Sequence, residues 1–201
     1  MTILPAFDKK SIEVEKTKIV FQFTLMTVAS AIAGMCFPRL LTSNAIGNIT
    51  GNTVKYFNTH LIGSEVINEF LRLSLVDVTC ILILFIFSFS FINYVVSDLT
   101  LIFISFRFGI NAAVIKLASF ELVGVGASLC FWLLKGIALP AFLIFCCRMA
   151  THSLQLRRFS SSNGRMIINK KAMGAMLTIT LTMLGTVLII NGLYCLFLYI
   201  F

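Results

Sequence analysis

Five ionisable side chains lie within or beside the longest apolar runs of this chain, and their types could support chemistry there. They are Asp77, Arg107, Lys116, Glu121 and Lys135. If these runs cross a bilayer, each charge is costly unless it pairs, contacts water or binds a ligand. The chemistry that these residues could support is therefore ion pairing or the recognition of a charged ligand.

The expected depths divide these residues into two groups. Asp77, Lys116 and Glu121 are expected near the outer surface, where they can form a structural ion-pair cluster. Arg107 and Lys135 are expected deeper, about 12 Å from the inner edge and about 20 Å from the outer edge of their spans. Because no acid is expected at that height, these two cations either extend towards the headgroups or bind an anion, such as a lipid headgroup.

The composition places these charges in a membrane protein. The chain has 201 residues, of which 59% are hydrophobic and 12% are charged, whereas soluble domains are about 45–50% apolar and about 25% charged. The net charge of +8 comes from lysines and arginines at segment ends, which is the positive-inside pattern and does not indicate nucleic-acid binding. The six cysteines lie in or beside apolar runs, where free cysteine behaves as a small hydrophobe.

The elements that position the charges are apolar helices. The pattern predicts an all-α, polytopic transmembrane bundle of about five spans. The predicted spans are 19–37, 73–96, 99–119, 122–150 and 174–201. They form a single membrane domain, 19–201, after a head at 1–18, with a long polar loop at 38–72 and a basic loop at 151–173.

The fourth apolar stretch is too long for one straight span. As an unbroken helix it would be about 42 Å long, against a hydrocarbon core of about 30 Å. Gly136 and Pro140 predict a helix break, either a kink or an unwound segment, that absorbs the excess. An odd number of spans then puts the head and the basic loop in the cytoplasm, and the polar loop and the C-terminus outside a plasma membrane.

No catalytic, metal or cofactor site is predicted. The only nucleophile and base pairing of interest is Cys146 or Cys147 with His152, and no carboxylate or amide accompanies it to complete a triad. Phosphate-binding glycine loops and zinc motifs are missing from the sequence. We therefore do not expect an enzyme.

The block Lys135–Ala141, Lys-Gly-Ile-Ala-Leu-Pro-Ala, resembles the Gly-x-x-x-Pro-Ala block of the stage II sporulation protein M-like membrane family. The resemblance extends loosely over Val20–Ala150 and includes a Gly/Phe-rich stretch at Phe106–Gly109. Two positions depart from the family, which often has histidine at Lys135 and glutamate at Ala138. Those departures argue against a proton-relay or catalytic role for the block.

The resemblance implies a non-enzymatic scaffold that anchors cell-wall hydrolases at the sporulation septum. The partners would be other membrane or cell-wall-associated proteins and membrane lipids. Independently of the resemblance, stripes of small residues such as Ser30 and Gly34 indicate close helix packing, either within the bundle or in a homo-oligomer. The spacing within 65–75 predicts an amphipathic helix that lies at the membrane surface, or that docks on the bundle or on a partner. The candidate docking residues on it are Glu65, Glu69, Phe70 and Arg72.

A second function is open from the residues alone. Arg107, Asn111 and Lys135 lie on adjacent predicted spans and could line a path through the bundle. In that case, the chain would be a small permease subunit that needs an energising partner.

Overall fold

A computed structural model gives the architecture. It describes residues 9–41, 44–45, 47–48, 63–90, 92–117, 125–163 and 170–200. Within these ranges the chain forms five α-helices and no strand. The helices are α1 Lys9–Cys36, α2 Gly63–Phe87, α3 Asn93–Leu117, α4 Val125–Asn163 and α5 Lys170–Ile200.

All five helices are long and apolar enough to cross a membrane. The predicted all-α bundle of five spans is therefore confirmed. The α1 helix begins at Lys9, so it includes the second half of the predicted head, and a 3-10 turn at Phe37–Leu40 follows it. The predicted polar loop at 38–72 lies largely outside the described residues. We call the end of the bundle where α2 begins and α3 ends the Leu117 end.

The turn between α2 and α3 comes earlier than the sequence suggests. The predicted spans 73–96 and 99–119 place the reversal at 97–98, but α2 ends at Phe87 and α3 begins at Asn93. Ser88 donates its hydroxyl to the Phe85 carbonyl over 2.6 Å. The Ser90 hydroxyl oxygen accepts a hydrogen bond from the Ile92 backbone N–H over 3.3 Å. Serine hydroxyls compete for helix backbone groups in this way, so these two serines end the helix within an apolar stretch.

The start of α2 corrects a second prediction. Gly63–Phe87 is one helix, so the segment predicted to lie along the membrane surface forms the first turns of a spanning helix. Its polar residues mark the end of a span, where charged groups reach the interface. The early start and early end of α2 together place Asp77 near the middle of the helix rather than near its outer edge.

The prediction that α4 is broken by an unwound segment is also wrong. Val125–Asn163 is a continuous helix with Pro140 inside it. A proline removes one backbone donor, and a membrane helix tolerates this loss when neighbouring groups compensate. The excess length is accommodated because α4 continues beyond the candidate span Ser128–His152 into the segment expected to be the basic loop.

Helices α1 and α3 approach each other closely along what we call the glycine seam, formed by Gly34, Gly109, Ala31 and Phe106. A Cβ atom added to Gly34 would clash with the Phe106 carbonyl oxygen, and one added to Gly109 would clash with that of Ala31. Small residues let membrane helices pack backbone to backbone. The seam fixes α1 against one face of α3.

Two apolar cores lie on the other faces of α3. The larger includes Phe23, Leu101, Phe142 and Met149, and the smaller, towards the Leu117 end, includes Phe131. Asn93 is fully buried beside the larger core and donates its side-chain amide to the Met149 carbonyl over 2.9 Å. This contact ties the start of α3 to α4.

Candidate functional site

A cavity of about 340 Å³ lies among α2, α3, α4 and α5. Its polar lining is Glu69, Arg72, Asp77, Arg107, Asn111 and Lys135. Its apolar lining includes Ile104, Phe108, Phe131, Leu139, Phe142 and Tyr194. Ligand sites typically have a volume of about 300–1,000 Å³, apolar walls and a few convergent polar groups, and this cavity has those properties.

Asp77 connects three helices through its two carboxylate oxygens. Oδ1 is 3.3 Å from the guanidinium Nη1 of Arg107 on α3. Oδ2 accepts a hydrogen bond from the side-chain amide of Asn191 on α5 over 3.1 Å. The Asp77 side chain is only 13% exposed and that of Arg107 is 30% exposed, so both charges are largely withdrawn from the bundle surface.

Asn191 connects the polar side chains that meet at the cavity. We call this network the polar cluster, and its members are Asp77, Arg107, Lys135 and Asn191. It is 1% exposed. Its amide nitrogen also donates to the Ser74 hydroxyl over 3.3 Å, and its oxygen accepts a hydrogen bond from Lys135 Nζ. A buried amide with every group engaged orders its neighbours, because any unsatisfied polar group would be costly there.

Lys135 completes the polar cluster from α4 without an acid of its own. Its ammonium contacts the Asn191 amide oxygen and lies 5.6 Å from the centroid of the Tyr194 ring. Among the residues that line the cavity, ion pairs join Arg72 to Glu69 and Arg107 to Asp77. Lys135 is in neither pair, and its side chain lines the cavity.

We call the part of the cavity nearest the Leu117 end of the bundle its shallow end. Glu69 and Arg72, one turn apart near the start of α2, form an ion pair of 3.1 Å. The Arg72 side chain is 75% exposed and that of Glu69 is 12% exposed. An exposed cation and a buried acid therefore lie together at the shallow end.

The apolar wall is aromatic, and a natural reporter, Trp132, contacts it from outside the cavity. Phe108 and Phe131 stack with ring centroids 5.7 Å apart, and both contact the indole of Trp132 edge-on at 5.8 and 6.1 Å. Trp132 is the only tryptophan in the chain. Its fluorescence therefore reports on the wall of the cavity without any labelling.

The structure changes the expected pairing of the intramembrane charges. Asp77 pairs with Arg107 rather than with Lys116, because both lie near the middle of their helices. Lys116 is exposed near the end of α3 and does not line the cavity, and Glu121 lies outside the described residues. The expectation that Arg107 has no acid at its depth is therefore wrong.

The remaining predicted site residues occupy varied positions. Glu69 lines the cavity, and Phe70 packs against the smaller core, and the docking role of these two residues stays a prediction. Glu65 lies in α2, and its side chain is not described. Gly136 has no atom close to the position of an added Cβ, and Pro140 is exposed.

Three members of the site were missed by sequence reasoning: Ser74, Asn191 and Tyr194. Asn191 gave the clearest available signal, because an amide inside an otherwise apolar spanning helix requires hydrogen-bond partners. A search for charged residues alone misses Asn191, because α5 has no acid or base between Lys171 and its end. Comparison of the chain with protein-family models, with curated proteins and with solved structures finds no match.

Proposed function

We propose that this multi-pass membrane protein is a permease-type subunit that admits a small solute to the cavity among α2, α3, α4 and α5. The observation that carries the proposal is the polar cluster, held at membrane depth beside open volume. Ionisable residues inside a membrane are rare, and they usually mark substrate or ion pathways.

A purely structural ion network would give a different arrangement. Buried charges used only for packing are best enclosed, because close contact with their partners offsets the desolvation penalty. Here the side chains of Arg107 and Lys135 line a cavity, so part of their hydrogen-bonding capacity faces space that a solute can occupy. This difference supports binding over packing.

The proposed orientation follows from the basic residues of the chain. The positive-inside rule places the start of α1 and the segment between α4 and α5 in the cytoplasm of a plasma membrane. The Leu117 end, with Arg72 at the shallow end of the cavity, then faces outwards. A solute would reach the polar cluster first from the outer side.

Thiol labelling of adjacent α4 positions tests the proposal. Ala138 lines the cavity, whereas its neighbour Ile137 is 59% exposed on the outside of the bundle, where lipid would surround it. Single substitutions Ala138→Cys and Ile137→Cys would be made with Cys36→Ser, because Cys36 is the exposed cysteine of the described residues. The Cys36→Ser protein supplies the baseline for the other cysteines.

A charged methanethiosulfonate reagent applied to the protein in lipid should modify Ala138→Cys and spare Ile137→Cys. Placing a charge at the bilayer centre costs about 2.5–3.5 kcal/mol on insertion scales, which predicts a rate ratio above about tenfold. Equal, baseline labelling at both positions would show that no water reaches the cavity and would contradict the proposal.

A scaffold that recruits extracytoplasmic proteins is the second proposal, and the exposure of Arg72 supports it. In this case, docking involves Arg72 and the segment that precedes α2 in the sequence, without Glu69 or Phe70. Substitution Arg72→Ala should then reduce capture of a partner from mild detergent while leaving thiol labelling at Ala138→Cys unchanged. Capture equal to that of the parent protein would count against the scaffold role.

A further inference from the structure

The cavity has more positive than negative charge on its lining. Arg72, Arg107 and Lys135 face it together with Glu69 and Asp77. Each acid is already in contact with one of the arginines, at 3.1 Å and 3.3 Å. The surplus positive charge is therefore at Lys135, whose described contacts are a neutral amide oxygen and a neutral ring.

We infer that the cavity binds a small amphiphilic anion, with its acidic group at Lys135 and its apolar part against the aromatic wall of Phe108, Phe131 and Phe142. This inference deepens the proposed function and rests on it. A carboxylate or phosphate next to Lys135 would complete an ion pair at membrane depth, which offsets part of the cost of burying the ammonium.

The geometry disfavours a cationic or neutral ligand. A cation would meet a lining with one more positive than negative charge, and both acids are already paired. A neutral apolar ligand would fill the aromatic part but would leave the ammonium without a counter-charge. The polar cluster also holds Lys135 in place, because Asn191 is fixed by Asp77 and Ser74.

The same chemistry has two possible sources. The anion could be a free organic acid from the aqueous phase or the headgroup of an anionic lipid that enters between helices. Both place one acidic group beside Lys135 and an apolar body against the wall. The experiment therefore needs a soluble probe and a lipid variable.

The test uses the full chain in phosphatidylcholine nanodiscs and follows Trp132 fluorescence during titration with hexanoate, hexylammonium or hexanamide. These probes share an alkyl chain and differ in charge. Hexanoate should give a saturable change, and the other two should give none or bind at least about tenfold more weakly, as expected for loss of a charge-assisted contact. Equal responses to all three, or no saturable response to hexanoate, would overturn the inference.

Three lysine variants assign the effect to Lys135. Lys135→Gln keeps a polar group near Asn191 but removes the charge, and it should weaken hexanoate binding at least about tenfold. Lys135→Arg should retain binding. Lys116→Gln removes the same charge from an exposed position on α3 outside the cavity and should leave binding unchanged. Retained binding in Lys135→Gln, or equal losses in Lys135→Gln and Lys116→Gln, would contradict the assignment.

A lipid comparison separates the two sources. Replacing part of the phosphatidylcholine by phosphatidylglycerol should weaken hexanoate binding if the lipid headgroup competes for Lys135, and should leave it unchanged if the ligand is a free acid. Either result supports an anion site. The outcome is also distinct from failure of the proposed function, because labelling at Ala138→Cys does not depend on the charge of the ligand.

Discussion

The two faces of α3 at the same depth show opposite solutions to packing in a membrane. Gly109 lies on the glycine seam, where a backbone atom of α1 occupies the place of a side chain. Arg107, two residues earlier, reaches Asp77 on α2 and lines a cavity. Small residues close one interface completely, whereas paired charges leave space at the other. The comparison suggests that the seam provides rigidity and that the cavity provides function.

The largest expected effect is at the seam. Gly109→Ala puts a methyl group against the Ala31 carbonyl and the Met35 backbone nitrogen, which cannot rotate away as a side chain would. We expect a loss of about 3 kcal/mol in the free energy of unfolding, measured by thermal or denaturant unfolding in detergent. Gly185→Ala is the matched control, since its added Cβ meets nothing within 4 Å. Equal stability of the two variants would show that close packing at the glycine seam does not stabilise the bundle.

The next effect is at the ion pair on the opposite face. Asp77→Asn leaves the Arg107 guanidinium without its carboxylate, and we expect a loss of about 2 kcal/mol, less than for a fully buried pair because Arg107 is partly exposed. Adding Arg107→Gln should recover part of the loss, with a coupling energy of about 1 kcal/mol or more in the double-mutant cycle. Additive losses would mean that the two side chains do not stabilise each other.

Substitution of Lys135 should affect ligand binding much more than it affects the stability of the protein. Lys135→Met removes a hydrogen bond to Asn191 and also removes an ammonium that is costly to bury, so stability should change by less than about 1 kcal/mol. The same variant should lose hexanoate binding. Comparison of its unfolding curve with that of Asp77→Asn measures the contrast. A loss as large as that of Asp77→Asn would make Lys135 a structural residue.

The smallest effect concerns the continuous α4 helix. Gly136 lies within the helix with open space at its Cβ position, so Gly136→Ala should stabilise the protein by about 0.5–1 kcal/mol through helix propensity. The change should leave hexanoate binding unaltered. A marked loss of stability would indicate that the helix needs a glycine there, as the sequence-based prediction of a break had suggested.

The number and type of the elements could be predicted from the sequence, because five apolar runs of spanning length admit few alternatives. Their bounds could not be, since α2 and α3 meet at serines within an apolar stretch and the polar start of α2 resembles a surface helix. Because α2 starts and ends earlier than predicted, Asp77 lies at mid-depth rather than near the outer edge of the span. The identity of its partner therefore depended on helix ends that hydropathy alone does not fix.

Part of the site was visible in the sequence and part was not. Asp77, Arg107, Asn111 and Lys135 stand out as polar groups in apolar runs, and all four line the cavity. Asn191 joins them only through the packing of α5 against α2 and α4, which follows from tertiary geometry. Charges at membrane depth can thus be found from sequence, whereas the neutral groups that hold them require the fold.

A permease-type subunit requires that water and small charged solutes reach the cavity beside Lys135. The most direct test is the labelling rate of Ala138→Cys relative to that of Ile137→Cys with a charged thiol reagent in lipid, with and without hexanoate. If the cavity admits charged solutes and binds anions, Ala138→Cys should be modified quickly and hexanoate should slow that modification. Ile137→Cys should be modified slowly. Equally slow modification at both positions, unaffected by hexanoate, would contradict it.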